Sequence, residues 1–173
     1  MSESLNQELL SRLIDRKISL DELDQLEKAT ELSSFDSQVA FELGTFVKNY
    51  ASSNFPEKCV VIDITLPNGH CLFRTVNGIG SAFDNDQWIA RKQKTAFRFS
   101  HSSFFMGCKK GDKSPEDRFF VSSKEYAFHG GAVPLYVKNV AFPIACLTCS
   151  GLKQEEDHLL AITCLKNFAV AKD

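Results

Sequence analysis

Long apolar runs are what this chain most plainly lacks. Its longest, from about Val140 to Leu147, is broken by Pro143 and falls far short of the roughly 20 residues a membrane-crossing helix needs. The opening stretch MSESLNQELL is polar and acidic, which predicts neither a signal peptide nor a transit peptide. No Asn-x-Ser/Thr acceptor and no C-terminal lipidation box is present. Neither sign of charge dominates: 20 Lys and Arg against 22 Asp and Glu leave a formal net charge of -2. That balance gives no reason to expect nonspecific attraction to nucleic acid or to a membrane. These absences predict a cytoplasmic protein that does not insert into membranes. With 173 residues, 43% hydrophobic and 24% charged, the chain is most economically one domain with a substantial core.

Six cysteines (Cys59, Cys71, Cys108, Cys146, Cys149 and Cys164) are too scattered to read as a disulfide framework. Most sit inside apolar runs such as CVVIDI and IACLTC, where a free cysteine behaves as a small core residue. CLTC has the spacing of a zinc knuckle, but it falls in a predicted strand, where positions three apart face opposite ways, and no second pair accompanies it. A metal site is therefore not expected. Nucleophilic catalysis finds no footing either. There is no Gly-x-Ser-x-Gly, and the one cysteine beside cations, Cys108 before Lys109 and Lys110, reads as an ordinary loop thiol.

What is present is a legible order of elements. Leucines and isoleucines at three- and four-residue spacing predict two short amphipathic helices before Leu32, the second opened by Ser19 with Glu22 three residues on. This arm, residues 1–32, carries eight acids against four bases. Residues 33–173 form the rest of the domain. A third helix is predicted from about Asp36 to Ser52. CVVIDITLPNGHCLFRTV is a hairpin with Asn68-Gly69 in a tight primed turn. A helix opened by Asp84 and Gln87 runs to about Phe99, and CKKGDKSPEDRFF reads as a charged, mobile loop. GGAVPLYV and AFPIACLTC make two more strands, and a last helix spans about Lys153 to Ala171. Strand hairpins with helices between and after them predict an α+β fold on an antiparallel sheet. NGIGSAF lacks the third glycine of a dinucleotide turn and leads away from a hairpin, which sets a Rossmann fold aside.

The most chemically suggestive string is Glu155-Glu156-Asp157-His158. Acids in a first helical turn meet the positive end of the helix dipole, and that is sufficient reason for them to be there. Glu156 nevertheless shares a four-residue stripe with Leu160, Cys164 and Phe168, so it is expected to be buried with a partner, the Gly130-Gly131 turn being one candidate. Arg91, Lys92, Lys94, Arg98, Lys109, Lys110 and Lys113, interleaved with Trp88, Phe97, Phe99 and Phe104, form the one basic concentration. A solvated helix face, nucleic-acid binding and subunit contact are three readings of it; with the acidic arm in the same chain, subunit contact is preferred to nucleic acid.

Four segments together, DITLPNGHCLFR, DNDQWIARKQKTAFRFSHSSFFMGCKKGD, EYAFHGGAVPL and SGLKQEEDHLLA, resemble the family of HbpS-like, GlcG-like and PduO C-terminal-like domains, and most of all its branch of small fungal and bacterial cytosolic proteins. The resemblance runs from about Leu5 to Phe168. It implies a profilin-like (GlcG-like) antiparallel sheet with packed helices and an N-terminal helical arm. It also implies a symmetric homo-oligomer, with a decamer among the forms allowed. Some relatives bind or degrade haem and others accompany corrinoid chemistry, but no axial ligand maps securely onto His129 or His158, so haem is not carried over as a cofactor. Gly130, Gly131, Pro134, Ser150, Gly151, Glu156 and Asp157 match the shared motif and, with His129 and His158, are the expected ligand cleft. Close fungal relatives are connected with delivery of tail-anchored membrane proteins through a TPR-containing co-chaperone. Lys172 and Asp173, at the end of NFAVAKD, are the corresponding candidates for partner binding, because TPR clamps grip a terminal aspartate through lysine and arginine. The leading expectation is thus a non-enzymatic homo-oligomer that binds protein partners, the alternative a small-molecule or haem/tetrapyrrole-binding protein, with haem degradation as an activity the resemblance leaves open.

Overall fold

Each helix of the arm is begun by its own side chain. Asn6 accepts from the Leu9 amide to open α1 (Gln7–Ile14), and Ser19 and Glu22 form a reciprocal capping box at α2 (Leu20–Lys28). The computed structural model describes residues 4–109 and 111–172. Asp36 caps α3 (Ser37–Asn54), which runs two residues further than its apolar pattern suggests. Then come β1 (Val61–Thr65), β2 (Cys71–Val76), α4 (Asp84–Phe99), α5 (Ser103–Cys108), α6 (Pro115–Phe119), β3 (Ala132–Leu135), β4 (Ala145–Ser150) and α7 (Gln154–Lys172).

The four strands form one antiparallel sheet in the order β2-β1-β4-β3. Alternation along β1 and β4 sorts their side chains between two faces. Ile62, Ile64, Leu147 and Cys149 join the main core, on the side covered by α3 and α7. Cys146 points the other way, into a small cluster with Ala96 of α4 and Ala132. Burial holds the Cys146 thiol up at about 12. The CLTC pair is therefore split across the sheet, and no group of metal-ligating side chains is found among the described residues. The fold is α+β, as the order of elements implied.

Four local expectations are corrected. The hairpin turn is not primed: Pro67 holds φ negative, so Leu66 to Gly69 close a turn with the Gly69 amide on the Leu66 carbonyl at 2.9 Å, and only Gly69 takes positive φ (+88°). Asp84 does not cap α4; it is the first helical residue, and its carboxylate accepts from the Trp88 indole at 3.0 Å. The charged loop after Cys108 contains a helix, α6, because Ser114 caps it and Pro115 fits its first turn. The rule for these three is local and stands in the sequence. The buried acid at the start of α7 is Asp157, whereas Glu156 sits at the rim, for reasons the site makes clear.

The polar side of the sheet is closed by Asp63 on β1, which is fully buried. It accepts from Thr65 Oγ1 at 2.7 Å, Arg74 Nε at 2.8 Å and the Gln93 amide. The arm is tied on by Arg16 to Glu155 at 2.8 Å, and by Glu27, which accepts from the Ser102 amide at 2.9 Å and lies 3.1 Å from His101. No described helix is long and apolar enough to cross a membrane.

Candidate functional site

The end of β4, the 129–131 turn, α4 and the first turn of α7 converge on one cleft. Its base is an ion pair removed from water: Lys92 Nζ lies 3.1 Å from Asp157 Oδ2 and 3.3 Å from the Cys149 carbonyl, with both side chains at most 4% exposed. Burial raises Asp157 to about 6, while Lys92 and the Leu152 amide (3.1 Å) pull the other way. Gly131 lets the chain pass over this pair. At φ +134°, a Cβ there would stand 2.3 Å from the Cys149 carbonyl and 2.8 Å from Lys92 Nζ.

Two chambers open above. One, about 220 Å³, is lined by Asn85, Trp88, Lys92, His129, the Ser150–Leu152 turn, Gln154 and Asp157. The other, about 340 Å³, has polar walls from Arg16, Arg91, Glu116 and Gln154, and apolar walls that include Phe104, Tyr126 and Phe128. His129 and Gln154 belong to both and form the partition. The His129 ring packs edge-on against Trp88 at 4.9 Å, and Arg91 lies over the other partner, 4.2 Å from the Trp88 ring. Burial, then Lys92 and Arg91, lower the His129 pKa, so its imidazole is neutral at pH 7. A neutral ring offers one donor and one acceptor.

Of the expected cleft residues, His129, Ser150, Gly151 and Asp157 line the smaller chamber. Gly130 lies behind it, its amide on Gln154 Oε1 at 3.3 Å, and Gly131 roofs the ion pair. Pro134 is elsewhere, paired with Cys146 inside the sheet. Glu156 lines neither chamber. It pairs with Lys58 at 3.0 Å and accepts from the Lys153 amide at 3.1 Å, which is helix-start chemistry. The buried acid lies one residue beyond the stripe because α7 is enclosed nearly all round, which leaves helical phase with little power to choose between neighbours.

His158 is buried beneath the site, stacked on Phe104 at 4.6 Å, and neither ring nitrogen has a hydrogen-bond partner among the described residues. Burial, then Arg16, lower its pKa to about 3. Lys172 ends α7 paired with Glu42, and Asp173 lies outside the described residues. The residue that reading the sequence missed is Lys92. It shares the buried stripe Ile89–Lys92–Gln93–Ala96, and a lysine in such a stripe demands a carboxylate, so the signal was there. Two more members of the basic segment are engaged within the fold: Lys94 pairs with Glu125 at 3.0 Å, and Arg98 lies near the Tyr126 hydroxyl at 3.5 Å.

Residues 35–166 match the family model described as "Haem degrading protein HbpS-like". The chain belongs to the HbpS-like family. It is 63% identical over 165 residues to the UPF0303 protein YBR137W of Saccharomyces cerevisiae, covering 95% of this chain and 92% of that protein. A UPF0303 protein of Rhizobium etli is 34% identical over 158 residues, covering 89% and 91%. The crystal structure of the Ybr137w protein superposes with a TM-score of 0.94 at 62% identity, covering 98% of each chain. That of HbpS superposes with a TM-score of 0.59 at 15% identity over 79% of this chain and 91% of that one, a likeness of fold alone.

The family description raises haem, and the cleft does not fit it. An axial histidine needs an open face of planar space beside it. His129 instead has its ring held against Trp88 and divides the space into two small chambers. His158 is sealed under Phe104, and His101 is stacked on Phe105 at 3.9 Å and engaged by Glu27.

Proposed function

We propose that the protein is a cytosolic homo-oligomer that binds protein partners and carries out no reaction of its own. The observation that carries this reading is the pair Ile79 and Phe83, both fully exposed in the segment between β2 and α4. They follow β2, whose outer edge has no partner strand among the described residues, and Phe41, 57% exposed on α3, packs on Phe73 of the same strand. An open edge beside bare aromatic and aliphatic side chains is a surface a monomer normally covers. A second copy of the chain is the occupant the family resemblance favours. Native mass spectrometry and light scattering at micromolar concentration are expected to give an assembly. Changing Ile79 and Phe83 to serine together is expected to release folded monomers with an unchanged circular dichroism spectrum. A wild-type monomer, or a variant that assembles as before, would refute the reading.

The finer role follows the same resemblance: an accessory factor in delivering tail-anchored membrane proteins through a TPR-containing co-chaperone, gripped at Lys172 and Asp173. Deleting these two residues is expected to weaken co-chaperone binding at least tenfold while leaving the assembly intact, since an aspartate terminus is the clamp's charged anchor. Unchanged binding would remove the tail from the model.

A second reading, a small-molecule-binding protein, is favoured by the partition between the chambers, where His129 has ring nitrogens with no hydrogen bond to any described residue. Protein purified from its own cells should then carry a few hundred daltons of extra mass per subunit.

A further inference from the structure

The larger chamber holds two opposite charges that do not meet. Arg91, on α4, and Glu116, on α6, both line it and both are half-buried. Neither makes an ion pair, with each other or with any other described residue, so they stand more than 4.0 Å apart. The Arg91 guanidinium is held in place without being neutralised. It donates to the Ser123 carbonyl at 3.3 Å and lies on the Trp88 face at 4.2 Å, which leaves further N–H donors unused. The third charge of the chamber, Arg16, is already satisfied by Glu155 and the Leu13 carbonyl. A guanidinium and a carboxylate that line one cavity without pairing leave both charges available to a ligand that bridges them. The chamber's apolar lining includes Phe104, Tyr126 and Phe128, with the Gln154 amide and the His129 imidazole at the partition.

We propose that this chamber binds a small zwitterion of the amino-acid class, its carboxylate on Arg91, its ammonium on Glu116 and its side chain against the aromatic wall. A guanidinium suits a planar carboxylate through paired donors, and a lone carboxylate suits an ammonium. A dianion such as a phosphate ester is disfavoured because Glu116 faces it. At about 340 Å³ the chamber is at the small end of ligand sites, which suits a metabolite of this size.

This inference rests on the small-molecule reading and is narrower than it. The full-length protein is titrated calorimetrically with each of the twenty common L-amino acids. For the tightest binder, the two analogues lacking either the amine or the carboxylate are titrated as well. Both analogues are expected to bind at least about tenfold more weakly, the loss typical of one buried charged hydrogen bond. Arg91→Gln and Glu116→Gln are each expected to lose tenfold or more for the amino acid. Arg91→Gln should spare the amine-only analogue and Glu116→Gln the carboxylate-only one, a crossed pattern that general destabilisation would not produce. If Arg91→Gln fails to fold, Glu116→Gln decides alone. No binding by any of the twenty, or an analogue that binds as tightly as its parent, overturns the proposal. Extra mass on the native protein together with such a result would leave the broader small-molecule reading standing.

Discussion

Replacing Lys92 with methionine is expected to cost about 3–5 kcal/mol of stability at pH 7.5, the usual result of orphaning one member of a buried ion pair. Methionine keeps most of the aliphatic stem between α4 and β4, so the loss reports the charge rather than a cavity. Asp157 would keep the Leu152 amide (3.1 Å) and lose the cation that offsets its burial. The deficit should shrink with acid. Without Lys92 the folded-state pKa of Asp157 rises further above its ordinary value, so the folded form binds a proton that the unfolded form releases. Stability of the variant relative to wild type then recovers as pH falls. Adding Asp157→Asn to Lys92→Met should restore much of the loss, because the amide can still accept from Leu152 and carries no charge. Urea unfolding of wild type and the two variants at pH 7.5 and pH 5.5 measures all of this. A single variant within about 1 kcal/mol of wild type would show that the pair is not what holds the base of the cleft together.

The second large effect belongs to His158. Its folded-state pKa of about 3 lies below the ordinary 6.5, so the unfolded chain takes up a proton that the fold excludes. The protein should therefore lose stability as pH falls below about 6.5 and go on losing it until about pH 3. From pH 8 to pH 4.5 this group alone accounts for about 3 kcal/mol, at 1.36 kcal/mol per pKa unit. Asp157, raised to about 6 by burial, acts in the opposite direction between about 6 and its ordinary 3.8 and masks part of the loss. His158→Phe isolates the histidine. A phenyl ring can keep the stack on Phe104 and removes two buried nitrogens that have no partner, a saving of about 1–3 kcal/mol at neutral pH. Its advantage over wild type should widen by about 3 kcal/mol between pH 8 and pH 4.5. Parallel pH profiles for the two proteins would mean that His158 is reached by water or a partner group in solution.

Local signals set out the elements of this protein. Ser19 with Glu22 begins α2, Pro67 and Gly69 turn the hairpin, and alternation in CVVIDI and IACLTC makes strands with a cysteine on each face. Each of these depends on neighbours within a few residues, so one sequence suffices to read it. The four-segment resemblance, read from the same string, led to the family. The cleft was legible only in its outline. His129, Ser150, Gly151 and Asp157 were in view, but their working partners Trp88, Lys92 and Arg91 sit some sixty residues from Asp157 on a helix whose charges looked like a solvated face. Only the sheet order β2-β1-β4-β3, which lays α4 across β3 and β4, brings Lys92 to Asp157. The tertiary structure also decided which acid is buried, since full enclosure of α7 removes the one-sided pattern from which burial is inferred. Chain-local chemistry is written in spacing. The pairing of charges across the chain is written in the packing that excludes water from them.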